Sequence, residues 1–273
     1  IFRNDGIFTV TDSIGDGEIC LTYTGAKNGN VTISTIRNYG VLNIAGGTIN
    51  CVNGNQNISY AIDAFNGGVV NISGGTVKGG SVNKSLAKGG NIFNEGTMNL
   101  YGGTISGNTG KIAGAIYIGG NTDDLLDGIL NVYGGTITNG TAQAGRAVNI
   151  RNNKTGGQPG IIRLYNNARV DDINIFTDAK TNNIFVDASF TGETFVKTAN
   201  TAAVGAKIAT TGGAFTGKVY CYNGSGYASA VSGTNVNLTA LASGQRLKDC
   251  VHCGRMEKWD SFNNTAPTTA GSY

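Results

Sequence analysis

The sequence predicts an all-β protein, a single-stranded right-handed parallel β-helix (solenoid) with about 28–34 residues per coil. Three observations predict it. A short phrase recurs: Gly40-Val-Leu-Asn-Ile-Ala-Gly-Gly-Thr-Ile49, Gly68-Val-Val-Asn-Ile-Ser-Gly-Gly-Thr-Val77, Gly96-Thr-Met-Asn-Leu-Tyr-Gly-Gly-Thr-Ile105 and Gly128-Ile-Leu-Asn-Val-Tyr-Gly-Gly-Thr-Ile137. A worn copy, Gly160-Ile-Ile-Arg-Leu-Tyr-Asn-Asn-Ala-Arg-Val170, closes the series, and a faint one, Gly6-Ile-Phe-Thr-Val-Thr-Asp12, opens it. The leading glycines lie 34, 28, 28, 32 and 32 residues apart, a period that marks a solenoid. Within each copy the apolar residues alternate, as in a strand with one buried face. A Gly-Gly corner follows, and nothing between copies has helical periodicity.

Each element follows from that phrase. Leu42 and Ile44 point inward, and Asn43 and Ala45 outward. After the Gly46-Gly47 corner, Thr48 points out and Ile49 in. Another strand precedes each copy, at Ile36–Asn38, Ile62–Phe65, Ile92–Asn94, Ala115–Ile118 and Ala147–Ile150. Three short strands per coil fit a β-helix. A leucine-rich repeat needs a Leu-x-x-Leu-x-Leu frame, which is missing, and a propeller blade needs a period nearer ~40.

The regular coils are expected over 1–170, with irregular coils and a cap over 171–240. Strands are expected there near Ile184–Val186, Thr194–Lys197, Lys207–Ala209, Gly217–Tyr222 and Val236–Leu238. Residues 241–273 change character and read as a Cys-containing linker or the start of a following module. Ile1-Phe-Arg-Asn-Asp5 reads as the middle strand of a coil, so the chain is expected to be a piece of a longer one whose export signal lies elsewhere.

Composition narrows the function classes. Charged residues make up only 14 %, and 44 glycines carry no triplet period. The net charge of +3 is thinly spread, without the basic and aromatic clustering of a nucleic-acid interface. No apolar run is long enough to insert in a membrane. Cys20 and Cys51 lie about one coil apart and could stack as a disulfide or remain buried thiols. Cys250-Val-His-Cys253 has half of a zinc spacing but no second pair, so a local disulfide or free thiols are expected. No cofactor motif and no full set of metal ligands is found.

The repeated phrase and the Cys250-Val-His-Cys-Gly254 and Ala266–Tyr273 joint resemble the adhesin-like β-helix modules of large surface proteins from gut Firmicutes and related anaerobic bacteria. The resemblance covers most of the chain. It implies an extracellular, non-enzymatic structural or adhesive module at a bacterial cell surface. The partners it implies are host or bacterial glycans, surface proteins, and neighbouring modules or other subunits.

Two other readings compete. β-Helices also house enzymes acting on acidic polysaccharide, as lyases or glycoside hydrolases. Asn121-Thr122-Asp123 matches one polygalacturonase tripeptide, and Asp171-Asp172 could pose as the later Asp pair. The Gly-His-Gly of that family is absent, and the only histidine, His252, lies in the tail. A lyase would need a calcium cluster and an arginine base, yet Arg163 falls in the column of Asn43, Asn71, Asn99 and Asn131. The third reading is a self-assembling fibre or spike subunit, which would leave one solenoid end uncapped.

The best ligand candidate is an outward row. Aligned on the leading glycine, position six reads Ala45, Ser73, Tyr101, Tyr133, Tyr165. Asn99, Asn131 and Arg163 form the row beside it. Aromatic faces beside amide and guanidinium donors suit a sugar ring. The competing reading is a stacking ladder that only stabilises the coil. Rows of Thr48, Thr76, Thr104 and Thr136, and of Asn4, Asn38, Asn66 and Asn94, are expected to be structural ladders.

Overall fold

A computed structural model describes residues 2–23, 32–53, 58–79, 90–107, 114–119, 128–138, 140, 147–150, 160–175, 183–197, 203–222, 227–240, 247–249 and 256–258. Every element in them is a strand. The first coil holds β1 (Phe2–Asn4), β2 (Ile7–Val10) and β3 (Glu18–Tyr23). The second holds β4 (Thr32–Asn38), β5 (Val41–Ile44) and β6 (Thr48–Asn53), and the third β7 (Ile58–Ala64), β8 (Val69–Ile72) and β9 (Thr76–Gly79). The fourth holds β10 (Ile92–Asn94), β11 (Thr97–Leu100) and β12 (Thr104–Ile105), and the fifth β13 (Ile116–Ile118), β14 (Ile129–Val132) and β15 (Thr136–Ile137). Next come β16 (Val148–Ile150), β17 (Ile161–Leu164), β18 (Arg169–Ile175), β19 (Ile184–Val186) and β20 (Glu193–Lys197). The chain closes with β21 (Lys207–Thr211), β22 (Lys218–Tyr222), β23 (Tyr227–Ser232) and β24 (Asn235–Thr239). A separate antiparallel pair, β25 (Leu247–Asp249) and β26 (Met256–Lys258), follows.

Equivalent strands stack in parallel. One face runs β1-β4-β7-β10-β13-β16-β18, a second β2-β5-β8-β11-β14-β17-β19-β21, and a third β3-β6-β9-β12-β15-β18. This is the parallel β-helix the repeat predicts. β18 serves two faces: Arg169 and Val170 pair with β15, whereas Ile173–Ile175 pair with β16.

Register follows the phrase residue by residue. Asn43 pairs with Asn71, Asn71 with Asn99, Asn99 with Asn131, and Asn131 with Arg163. The inward columns are therefore continuous. Leu42, Val70, Met98, Leu130 and Ile162 have no solvent exposure, and neither do Ile44, Ile72, Leu100, Val132 and Leu164.

Glycine is needed at the corners for two separate reasons. Gly135 has φ +72°, in the left-handed region that side chains disfavour. Gly128 is not left-handed, but a Cβ there would meet the Asn94 carbonyl of the preceding coil. The worn copy solves the corner differently, with Asn166 at φ 44° one position earlier.

Three expectations need correction. Asn66 does not join the Asn column. An exposed turn at Phe65-Asn66-Gly67 puts Ala64 in that column, between Asn38 and Asn94. Cys20 and Cys51 form no disulfide. Cys20 pairs with Asn50 and Cys51 with Leu21, so the one-residue offset puts one thiol outside and the other inside. Finally, the end of the solenoid contains a strand the sequence did not suggest, β23. It pairs antiparallel with β24, which pairs antiparallel with β21. The five strands expected over 184–238 are all present.

Leu100 is fully buried between Ile72 and Val132. Leu100→Ala is expected to cost about 2–5 kcal/mol, read as a lower denaturation midpoint in urea.

Candidate functional site

The outward side of the second face carries the candidate residues. Its alternate positions form two rows, because Leu100 and Val132 point inward and their neighbours must point out. The amide row is a hydrogen-bonded ladder. Arg163 Nη1 donates to Asn131 Oδ1 at 3.3 Å, Asn131 Nδ2 to Asn99 Oδ1 at 2.9 Å, and Asn99 Nδ2 to Asn71 Oδ1 at 2.9 Å. Asn71 Nδ2 donates to Asn43 Oδ1 at 2.9 Å, and Asn43 Nδ2 to Thr9 Oγ1 at 3.3 Å. Like amides in register satisfy one another along the axis. Each link contributes about 0.5–1.5 kcal/mol.

The tyrosine row lies beside it. Tyr101 and Tyr133 stack with centroids 4.9 Å apart and planes 7° apart, and Tyr133 and Tyr165 at 4.5 Å and 18°. Tyr133 thus has a ring on each face and offers only its edge and hydroxyl. Tyr101 differs. It is 52 % exposed, and beyond it the row continues with the small, exposed Ser73 and Ala45. The row makes a step there, with an aromatic wall over a floor of small side chains. At the other end, burial raises the Tyr165 phenol above its ordinary pKa, helped by Tyr133 and opposed by the Arg163 guanidinium.

The structure brings Tyr101, Tyr133, Tyr165, Asn99, Asn131 and Arg163 onto one face. It does not bring Arg163 to the aspartates. Asp171 and Asp172 are buried in β18, on the other sheet, and Arg169 Nε lies 3.5 Å from Asp171 Oδ1. Asn121, Thr122, Asp123, Cys250 and Cys253 lie outside the described residues. Among the described residues, no group of three His, Cys, Asp or Glu side chains is placed to hold a metal ion. The threonine row forms in register, Thr48 to Thr76 to Thr104 to Thr136.

A second set of residues escaped the sequence reading. On the first face Tyr60, Phe93 and Tyr117 form a buried stack, with centroids 5.4 and 5.5 Å apart. Near them Asp63 is buried, with Ser34 Oγ donating to it at 3.4 Å and Arg37 Nε 4.0 Å away. Burial pushes the Asp63 carboxyl up to about 6, against the opposing pull of Arg37 and Ser34. Burial, and then Asp63 itself, holds the Tyr60 phenol well above its usual range. The spacing from the leading glycine hides this set, because Arg37 stands three residues before Gly40 whereas its partner Asp63 stands five before Gly68.

No protein-family model, curated protein or solved structure shows a significant match to the chain.

Asp63 makes a pH prediction. Its folded pKa lies above its unfolded value of 3.8, so between about pH 4 and pH 6 the folded state holds more protons than the unfolded state. The Asp63 contribution to stability is therefore fullest below pH 4 and declines as pH rises to about 6, by at most ~3 kcal/mol. Asp63→Asn is expected to flatten this part of the stability–pH curve relative to the natural chain, as measured by denaturation at pH 4, 5, 6 and 7.

Proposed function

We propose that the chain is a non-enzymatic structural module of an extracellular bacterial surface protein, a stiff rod that presents a ligand-binding step on one face. The observation that carries this reading is the continuity of the rows. Inner apolar columns, the amide ladder and the tyrosine stack all run along the axis in one register. Bending the rod would break these rows together, and stiffness is what a spacer at a cell surface requires. The repeated phrase and the cysteine-containing joint support the same reading through their resemblance to adhesin-like modules.

The adhesive role rests on Tyr101. Its ring is half exposed, and the next position in its row holds Ser73 instead of another ring. A sugar can lay its apolar CH face against such a wall, with its hydroxyls toward the amide row. The partner class is therefore a glycan of the host or of a bacterial surface.

Mutation separates the two roles of the row. Tyr133→Ala removes a ring stacked on both sides and is expected to lower the melting temperature. Tyr101→Ala is expected to spare the melting temperature more and to weaken binding on a glycan array roughly two- to tenfold, the scale of one aromatic contact. Equal binding by Tyr101→Ala and the natural chain would remove the glycan role and leave the structural one.

The non-enzymatic reading has its own test. Incubation with polygalacturonate, with and without calcium, is expected to release neither new reducing ends nor unsaturated products. Activity lost in Asp123→Ala or Asp171→Ala would establish the lyase or hydrolase reading instead.

A further inference from the structure

The first coil has an outer edge that is built like an interior one. We infer that this edge accepts one more coil of the same kind, stacked in parallel register on its N-terminal side. The inference goes beyond the proposed function and does not depend on it.

Gly6 carries the argument. It occupies the leading position of the phrase, as Gly40, Gly68, Gly96 and Gly128 do. At each of those four, a Cβ would meet a backbone carbonyl of the coil before: Gly6, Asn38, Gly68 and Asn94 respectively. A Cβ on Gly6 would meet nothing within 4 Å, and its φ is not left-handed. Neither space nor backbone conformation calls for glycine there. The requirement arises only when another coil lies in front.

The hydrogen-bonding pattern agrees. The residue after each leading glycine donates its N–H to the leading glycine of the coil before. Val41 donates to Gly6 at 2.7 Å, Val69 to Gly40 at 2.8 Å, Thr97 to Gly68 at 2.9 Å and Ile129 to Gly96 at 2.8 Å. Ile7 is the first member of this series, and its N–H points away from the stack by the same geometry. The apolar surface is concentrated at this end too. Phe2 is 44 % and Ile7 79 % exposed, and a cleft of about 360 Å³ opens among Phe8, Val10 and Ile19. Such an edge is a template for strand pairing.

The geometry also selects the occupant. The other end of the second face is closed by the β23–β24 hairpin, whose outermost strand runs in the solenoid direction but belongs to a two-stranded cap, so a second copy presents a hairpin there and not a three-strand coil. Two copies meeting head to head would pair antiparallel and would make no use of Gly6. The partner is thus a β-solenoid coil in parallel orientation, with a backbone carbonyl over Gly6, contributed by polypeptide preceding β1.

The experiment supplies that coil and compares it with the natural chain. Phe2 pairs with Ile36, so a tandem duplicate of residues 1–34 placed before Ile1 enters in register. The duplicated chain is expected to melt several degrees higher and to protect the Ile7 amide from hydrogen exchange. Gly6→Val in the original coil is expected to leave the natural chain unchanged and to lower the melting temperature of the duplicated chain. An equal loss in both chains would show that Gly6 serves its own coil, and the inference would fail. An unprotected Ile7 amide in the duplicated chain would overturn it as well. A dimer of the natural chain that Ile7→Lys dissociates would replace the parallel coil with a second copy.

Discussion

The structure depends on how closely one coil lies on the next. Parallel strands stand about 4.8 Å apart, and the turns between them must stack as tightly as the strands. At the corners this leaves no room for a side chain: the carbonyl of Asn94 occupies the place where a Gly128 Cβ would sit. Glycine at that point is a packing requirement, and at Gly135 it is a conformational one. Together they lock each coil to the one below and fix the register of every strand between.

Fixed register has a chemical consequence. Each side chain meets the equivalent side chain of the next coil at strand spacing, so the row must tolerate its own kind. Leucine and isoleucine do so inside, and asparagine and tyrosine do so outside. Charges do not, and the chain is only 14 % charged. Where two arginines do meet, they turn apart. Arg3 and Arg37 are register partners; Arg3 reaches Asp5 at 2.8 Å, and Arg37 lies toward Asp63. The amide ladder tolerates a cation only at its end, where Arg163 donates to Asn131.

The sequence was legible wherever distance from the leading glycine is conserved. That covers the inner columns, the amide row and the tyrosine row, all within a few residues of the corner. It failed where a turn changes length. The Phe65-Asn66-Gly67 turn moves Asn66 out of its expected column and brings Asp63 opposite Arg37, so neither could be read from spacing. Cys20 and Cys51 show the sharpest form of the problem, since an offset of one residue reverses the side on which a strand residue lies. β23 was missed for another reason. Its sequence, Tyr-Ala-Ser-Ala-Val-Ser, is mostly small and lacks the strong alternation that marked the other strands. Of the site, the row was visible and its step was not, because sequence shows which residues share a column but not which ring faces are covered.

Perfect repetition consumes the chemistry it displays. Tyr133 gives both ring faces to its neighbours, and Asn99 both donates to Asn71 and accepts from Asn131. A partner finds fewer open valences in the middle of such a row than at its ends. Recognition by a solenoid therefore belongs where the pattern changes. Tyr101 gives way to Ser73 at one such point, and the outer edge of the first coil, where a Cβ on Gly6 would meet nothing, is another. The first offers an aromatic face, suited to a small ring. The second offers a row of backbone groups and an open core, suited only to more β-structure. The same stacking rule that occupies the middle of each row thus directs the proposed glycan to Tyr101 and the proposed coil to the edge at Gly6.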